Sequence, residues 1–264
     1  MNDASPNPPV HLAHGDVRAE IVPARGALVS ALSVGDIEVL YLDRATLDDP
    51  SKNVRGGIPV LFPFAGALPE GRFEPAGTQM RQHGFGRDKA WRVVAQRPDA
   101  VWLRLAQDTE TQTHFPYAFE ADYAVRLLPR GLQVELTVEA TGARGVPLSP
   151  GWHPYFCCPA DAKSSVTGTV PGLRPEAFTE DAVFDFGLEA PISGRTMFEV
   201  PGLGHLRLEA SPELRHLQFW SQPGKPFICL EPFFGPAGTV NTDRRLELAP
   251  GRAVTLWMRI EVEA

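Results

Sequence analysis

The chain has 264 residues, of which 43% are hydrophobic and 22% are charged, proportions close to those of ordinary globular proteins. This composition excludes a disordered or fibrous chain, and a net charge of -7 offers no positive field to attract a nucleic-acid backbone. Every apolar run is interrupted by proline, glycine or charge before it reaches about 18 residues, so we expect a soluble protein with no membrane-spanning helix.

Cysteine usage and the first residues of the chain indicate a cytoplasmic protein. Cys157, Cys158 and Cys229 are too few for a disulfide framework, and none lies in a CxxC or zinc-ligand spacing. We therefore expect reduced thiols and no metal site. The first residues lack the basic and apolar segments of a secretory signal, and residues 1–14 are predicted to be a flexible tail. No composition shift divides residues 1–264, which predicts one domain.

Strand patterns follow one another along the chain, since 26 prolines and 24 glycines interrupt every helical pattern. Residues 132–139 and 254–262 alternate apolar and polar side chains, which is typical of antiparallel strands with one buried face. Weaker strands are predicted at 18–22, 37–42, 91–95, 101–105, 119–127, 206–209, 214–220 and 227–231. With only short helices expected, we predict an all-β antiparallel sandwich.

Two loops interrupt this strand pattern in the first half of the chain. Residues 55–66 contain paired glycines and spaced prolines, which exclude a regular helix or a central strand, and the simplest interpretation is an apolar loop that plugs one end of the sandwich. Residues 80–91 place Gln82, His83 and Arg87 around two glycines, so donors for sugar hydroxyls or an anion are concentrated on a bendable backbone. A solvated turn is the alternative for this second loop.

Two further segments carry ionisable groups among apolar residues. Pro154 restricts His153 to an extended conformation beside aromatic side chains, although a histidine in this setting is often only a core residue. Glu231 ends an apolar run and precedes Pro232, so burial would raise its pKa toward that of a working base; an edge glutamate pointing into water is the alternative.

Taken together, these segments resemble the aldose 1-epimerase (galactose mutarotase) family, including its hexose-6-phosphate mutarotase branch. The matching residues, in chain order over nearly the whole length, are 21–27, 38–41, 56–63, 83–87 with Trp91, 115–117, 153–156 and 230–232. The resemblance implies a large β-sandwich of the galactose mutarotase type with a sugar cleft, no cofactor, and interconversion of the α and β anomers of a hexose or hexose phosphate.

The resemblance also implies roles for particular residues. Glu231 would act as the base on the anomeric hydroxyl and His153 as the acid on the ring oxygen, with the imidazolium form of His153 kept accessible by a polar partner. His83, Arg87, Gln82 and Arg55 would line the cleft as substrate-binding residues. The arginines at 55, 81 and 87 could form a phosphate clamp, or could equally be ion-paired scaffold.

One family feature has no clear equivalent in the sequence. The family often carries an aspartate between the histidine and glutamate motifs, and residues 192–198 contain none. This departure leaves the identity of the substrate open. A catalytically silent carbohydrate-binding protein of the same fold is an alternative, because fold does not fix activity, although the presence of both His153 and Glu231 counts against it. A partner domain of a glycoside-processing enzyme is a weaker alternative, because glycoside hydrolysis ordinarily needs two carboxylates.

Overall fold

A computed structural model describes residues 8–174, 178–179, 181–192 and 196–263. Strands occupy nearly half of these residues. They are β1 Val10–His14, β2 Val17–Val22, β3 Leu28–Val34, β4 Ile37–Glu38, β5 Val60–Leu61, β6 Arg72–Phe73, β7 Thr78–Gln79, β8 Arg92–Arg97, β9 Ala100–Ala106, β10 Phe119–Leu128, β11 Gly131–Ala140, β12 Val146–Leu148, β13 Gly151–Trp152, β14 Tyr155–Cys157, β15 Thr167–Gly168, β16 Phe184–Glu189, β17 Met197–Val200, β18 Gly204–Ala210, β19 His216–Ser221, β20 Phe227–Phe233, β21 Leu246–Leu248 and β22 Ala253–Glu263.

The helices are short, as expected. α1 spans Arg44–Leu47 and α2 spans Thr109–His114, and α2 begins with a capping box in which Asp108 accepts a hydrogen bond from the backbone of Thr111. Neither helix, nor any other in the described ranges, is long and apolar enough to cross a bilayer.

Two antiparallel sheets form the body of the fold. One has eight strands in the order β15-β17-β18-β22-β11-β10-β9-β8, and the other has the order β16-β19-β20-β13-β5, with β14 also paired to β20. A four-stranded sheet, β1-β2-β3-β4, and two ribbons, β12-β21 and β6-β7, complete the described structure. The prediction of an all-β antiparallel fold with few short helices is confirmed.

The strongest sequence patterns form the centre of the eight-stranded sheet. Strand β11 pairs with β22 in continuous register, with Leu136 opposite Leu256. The alternate apolar residues of β11 are buried, whereas Gln133 and Glu135 are half-exposed on the other face. Period-two alternation therefore corresponds to one core face and one wet face, as the sequence predicted.

Strand β20, which carries Glu231, is buried on both faces. In β20, Ile228 and Leu230 point into the main core, while Cys229, Glu231 and Phe233 point to the opposite side, since successive side chains of a strand alternate. Every residue of β20 is buried. Other segments therefore cover the second face of β20, and the cavity described below lies between this strand and loop residues.

The predicted flexible tail at 1–14 is wrong for its last residues. Residues 10–14 form strand β1, which pairs with β2 through Val10 opposite Ile21, and Val10 and Leu12 are buried in the core. Three prolines within residues 6–9 make the start of the sequence look like an irregular tail. The alternation of apolar and polar residues that follows is too short to indicate a strand by itself. Residues 1–7 lie outside the described ranges.

Candidate active site

A cavity of about 350 Å³ lies against the β16-β19-β20 face of the six-stranded sheet. All six residues predicted to act at a site line it, although they come from four separate segments of the chain. The lining residues are Asn53, Arg55, Gly66, Ala67, Gln82, His83, Arg87, His153, Asp185, Gln218, Trp220, Glu231, Phe233 and Ala237. A volume of this size can accommodate a single pyranose ring.

His153 and Glu231 lie in direct contact at the bottom of this cavity. The Nε2 atom of His153 is 3.4 Å from the Oε2 atom of Glu231, and the two side chains are 9% and 2% exposed. Glu231 is held by β20, and His153 directly follows β13, where its backbone N–H donates to the carbonyl of Pro59 at 3.2 Å. The two residues are therefore fixed by neighbouring strands of one sheet rather than by mobile loops.

Burial favours the neutral forms of both side chains. It raises the pKa of Glu231 well above its usual value, and the nearby Asp185 carboxylate acts in the same direction. Burial, assisted by the positive charge of Arg87, lowers the pKa of His153 to about 3. The expected direction for Glu231 holds, but the expectation of an accessible imidazolium at His153 is wrong for the ligand-free cleft. Both shifts favour an uncharged carboxyl at Glu231 and an uncharged imidazole at His153.

Aromatic rings fix the orientation of the imidazole. The His153 ring stacks on Tyr155 at 4.7 Å with an interplanar angle of 8°, and Trp220 packs edge-on at 5.6 Å. The guanidinium of Arg55 lies 5.5 Å from the centre of the Trp220 ring, which places a cation at the rim of the cavity. Aromatic rings therefore lie against His153 on two sides. Tyr155 belongs to the segment in which the sequence predicted them, and Trp220 comes from β19.

His83 has a defined tautomer. Its Nδ1 accepts a hydrogen bond from the backbone N–H of Gly66 at 2.9 Å, so the ring proton must be on Nε2. Burial also lowers the pKa of His83 well below its usual value, which keeps the ring neutral. His83 therefore offers one N–H donor to the cavity.

The two loops predicted from the sequence are in contact with each other. Phe62 of the first loop accepts hydrogen bonds at 2.9 Å from the backbone N–H groups of Phe85 and Gly86 in the second. A Cβ atom on Gly84 would lie 2.4 Å from the Phe62 carbonyl oxygen, and one on Gly86 would lie 2.8 Å from the Phe62 side chain. The first, apolar loop thus packs against the second, polar loop and fixes its backbone.

The three arginines considered for a phosphate clamp have different surroundings. Arg81 pairs with Asp88 at 3.6 Å and donates to Asn53 at 3.2 Å, and it does not line the cavity. Arg87 donates to the backbone carbonyl of Gln82 at 3.2 Å, while its buried Nε finds no partner among the described residues. Only Arg55 and Arg87 remain as members of such a clamp.

Sequence reasoning missed Asp185 and Gln218. Asp185 lies on β16 opposite Trp220, and it accepts a hydrogen bond at 2.5 Å from the Gln218 amide. The other end of that amide accepts from His216 at 2.9 Å. Within residues 192–198, where no aspartate was found in the sequence, residues 193–195 lie outside the described ranges. A carboxylate between Phe184 and Phe186 was the signal that could have found it.

Gly187 makes room for this chain of hydrogen bonds. A Cβ atom at this position would lie 2.2 Å from the His216 ring and 2.7 Å from the Gln218 amide oxygen. Both side chains therefore lie directly over the glycine. Behind His153 and Glu231, Cys229 adds a thiol, and one potential metal-ligand atom from each of these three residues lies within 4.8 Å of the others. The spacing of these three residues along the sequence did not predict that they would lie together.

Comparison with known proteins agrees with this geometry. The family model described as "Aldose 1-epimerase" matches residues 9–261. A relative from Escherichia coli (strain K12), named "Putative glucose-6-phosphate 1-epimerase", is 31% identical over 163 residues, which cover 59% of this chain and 50% of the relative. The chain spans about half the length of the curated relatives that it matches under this name.

Solved structures share the fold over their full lengths. A protein from Synechocystis sp. PCC 6803 superimposes with a TM-score of 0.90 at 31% identity, covering 100% of this chain and 99% of that one. The galactose mutarotase related enzyme from Lactobacillus acidophilus has a TM-score of 0.79 at 17% identity, covering 97% and 98%. Because the family model matches residues 9–261, almost the whole chain, the chain belongs to the aldose 1-epimerase family.

Proposed function

We propose that this protein is an aldose 1-epimerase, a mutarotase that interconverts the α and β anomers of a hexose or hexose phosphate. The observation that carries the proposal is the 3.4 Å contact between His153 and Glu231 inside a cavity of pyranose size. A carboxyl and an imidazole placed side by side are the acid and base groups that ring opening requires.

The reaction follows from the placement of these two groups. The Glu231 carboxylate takes the proton from the O1 hydroxyl while the His153 imidazolium protonates the ring oxygen, and the C1–O5 bond breaks to give the open-chain aldehyde. Rotation about C1–C2 and reclosure on the other carbonyl face reverse both proton transfers. Sugar hydroxyls that donate to Glu231 stabilise its ionised form, and the proton that Glu231 releases then passes to His153.

Other cavity residues are suited to holding the sugar. His83 donates through Nε2–H, the Asp185 carboxylate accepts from a hydroxyl, and Trp220 presents an apolar face against which a pyranose ring packs. Gln82 adds an amide at the rim. Each of these contacts orients the ring without taking part in proton transfer.

A phosphorylated substrate is supported by Arg55 and Arg87. Both line the cavity, and neither forms an ion pair with a carboxylate in the part of the chain that is described. A phosphate group would supply the missing counter-charge and satisfy the free Nε–H of Arg87. The E. coli relative named for glucose 6-phosphate points to the same substrate class. The three free cysteines support the proposed cytoplasmic location.

The decisive experiment is polarimetry on freshly dissolved α-glucose, α-galactose and their 6-phosphates, with spontaneous mutarotation as the baseline. We expect acceleration with at least one sugar, and preferential loss of 6-phosphate turnover in Arg87→Leu. Arg81→Leu is the matched control, because Arg81 lies on the same loop outside the cavity. If no sugar is accelerated but sugars still bind, the silent binding protein is the correct interpretation.

A further inference from the structure

Cys229 is a buried thiol beside the catalytic pair, and the proposed mechanism does not use it. Cys229 and Glu231 are two residues apart on β20, so their side chains project from the same face of the strand. The strand register places Cys229 opposite Tyr155 of β14 and Trp220 of β19, the two rings that surround His153. The thiol therefore belongs to the same packed cluster as the imidazole.

We propose that His153, Cys229 and Glu231 form a binding site for a thiophilic divalent cation such as Zn²⁺, which inhibits the enzyme by occupying its acid and base. An imidazole nitrogen, a thiol sulfur and a carboxylate oxygen are the three ligand types that zinc takes in proteins. Here the three atoms lie within 4.8 Å of one another. The inhibitory part of this proposal rests on the proposed function, whereas the binding part does not.

The distances suit a tetrahedral ion after a small adjustment. Ligand bonds of about 2.1 Å in a tetrahedron place the ligand atoms roughly 3.4 Å apart. His153 and Glu231 already have this separation, at 3.4 Å. The thiol needs to move by up to about 1.4 Å, which rotation about its single side-chain bond can supply.

The surroundings leave a fourth position open and balance the charge. His153 and Glu231 both line the cavity, so water or a sugar hydroxyl can complete the coordination from that side. The thiolate and the carboxylate together neutralise a divalent ion, which suits a site that is closed to solvent on its other sides. A bound ion would occupy the lone pairs that proton transfer needs, so metal binding and mutarotation exclude each other.

Metal binding is tested first without reference to activity. The full chain is titrated with Zn²⁺ in competition with a chromophoric chelator, and with Co²⁺, whose thiolate charge-transfer absorption reports a sulfur ligand directly. We expect one equivalent to bind, and Cys229→Ser to weaken binding at least tenfold and to remove the absorption band. Cys157→Ser is the matched control, because Cys157 is more exposed and would be the ligand of an adventitious surface ion.

Inhibition is tested next by polarimetry. Zn²⁺ should slow wild-type mutarotation and EDTA should restore it, while Cys229→Ser should need at least tenfold more Zn²⁺ for the same inhibition. Equal Zn²⁺ affinity in wild type and Cys229→Ser, or loss of binding in Cys157→Ser, would overturn the proposal. If Cys229→Ser does not fold, Glu231→Gln must weaken Zn²⁺ binding instead. A protein that binds one Zn²⁺ but accelerates no sugar would contradict the proposed function alone.

Discussion

The eight-stranded and six-stranded sheets use the same kind of strand but differ in what covers their second face. In the eight-stranded sheet this face is wet, and Arg104 there pairs with Asp122 at 2.6 Å and with Glu120 at 2.7 Å while remaining about a third exposed. In the six-stranded sheet the corresponding face of β20 is buried and carries Glu231. A charged side chain on a solvent-exposed face costs little free energy, because water solvates it. Burying an ionisable side chain costs much more free energy, so its presence on a buried face indicates a function.

The largest expected effect is at the buried face. Glu231→Gln or His153→Asn should lower kcat for mutarotation by about 10²–10⁴-fold, because positioned proton transfer is lost. The matched controls are Glu135→Gln and His205→Asn on the eight-stranded sheet, which should leave the rate unchanged. Polarimetry measures the rate, and near-wild-type acceleration by either site variant removes that residue from the mechanism.

A substitution in the core of the eight-stranded sheet should lower stability without lowering activity. Leu136 is 1% exposed at the centre of β11, so Leu136→Ala should lower the free energy of unfolding by about 2–5 kcal/mol. Activity per folded molecule should not change, since the site lies on the other sheet. Urea unfolding measures the loss, with Glu135→Ala on the wet face of the same strand as control. A fall in kcat at full folding would show that the sheets are coupled.

A smaller effect is expected beneath the cleft at Gly187. Gly187→Ala should displace the His216 ring and the Gln218 amide, so that Asp185 loses its hydrogen bond. We expect KM to rise about tenfold with kcat nearly unchanged, because the acid and the base are untouched. Asp185→Asn should give the same pattern in steady-state kinetics. A fall in kcat alone would instead place this hydrogen-bond chain in the proton-transfer step.

The ion pairs of the wet face should contribute little. Arg104→Gln is expected to lower the free energy of unfolding by less than about 1 kcal/mol, since exposed pairs are solvated and screened. The difference should shrink further in high salt when it is measured by denaturant titration. A loss above this range would mean that Arg104 supports the sheet edge in a way that its exposure does not indicate.

The smallest expected effect is that of pH near the ordinary imidazole value. Because the pKa of His153 is lowered to about 3, its imidazole gains a proton only in strong acid, and the acid limb of kcat/KM lies well below pH 6.5. Burial raises the pKa of Glu231 well above its usual value, so its carboxyl keeps its proton above the usual carboxyl range. Between pH 6.5 and 5, kcat/KM should change by less than about twofold. An inflection near pH 6.5 would mean that His153 titrates as an exposed group.

Sequence patterns predicted those parts of the molecule that depend on local order. The alternation in β11 and the motifs around His153 and Glu231 are visible in short stretches of chain. Asp185 and Gln218 meet only because β16 and β19 pair in one register, which no local pattern reveals. The lowered pKa of His153 likewise depends on burial by distant segments, so the sequence indicated the residue but not its charge.

The contact between Phe62 and the glycines of the binding loop has an evolutionary consequence. That loop is fixed through backbone hydrogen bonds, through the absence of side chains at Gly84 and Gly86, and through the Arg87 guanidinium, which donates to the Gln82 carbonyl. The side chain of Gln82 lines the cavity and contributes to none of these contacts. Mutation can therefore exchange Gln82 while the loop keeps its path, and the polar groups presented to the cavity can drift at this position with His153, Glu231 and both sheets left as they are.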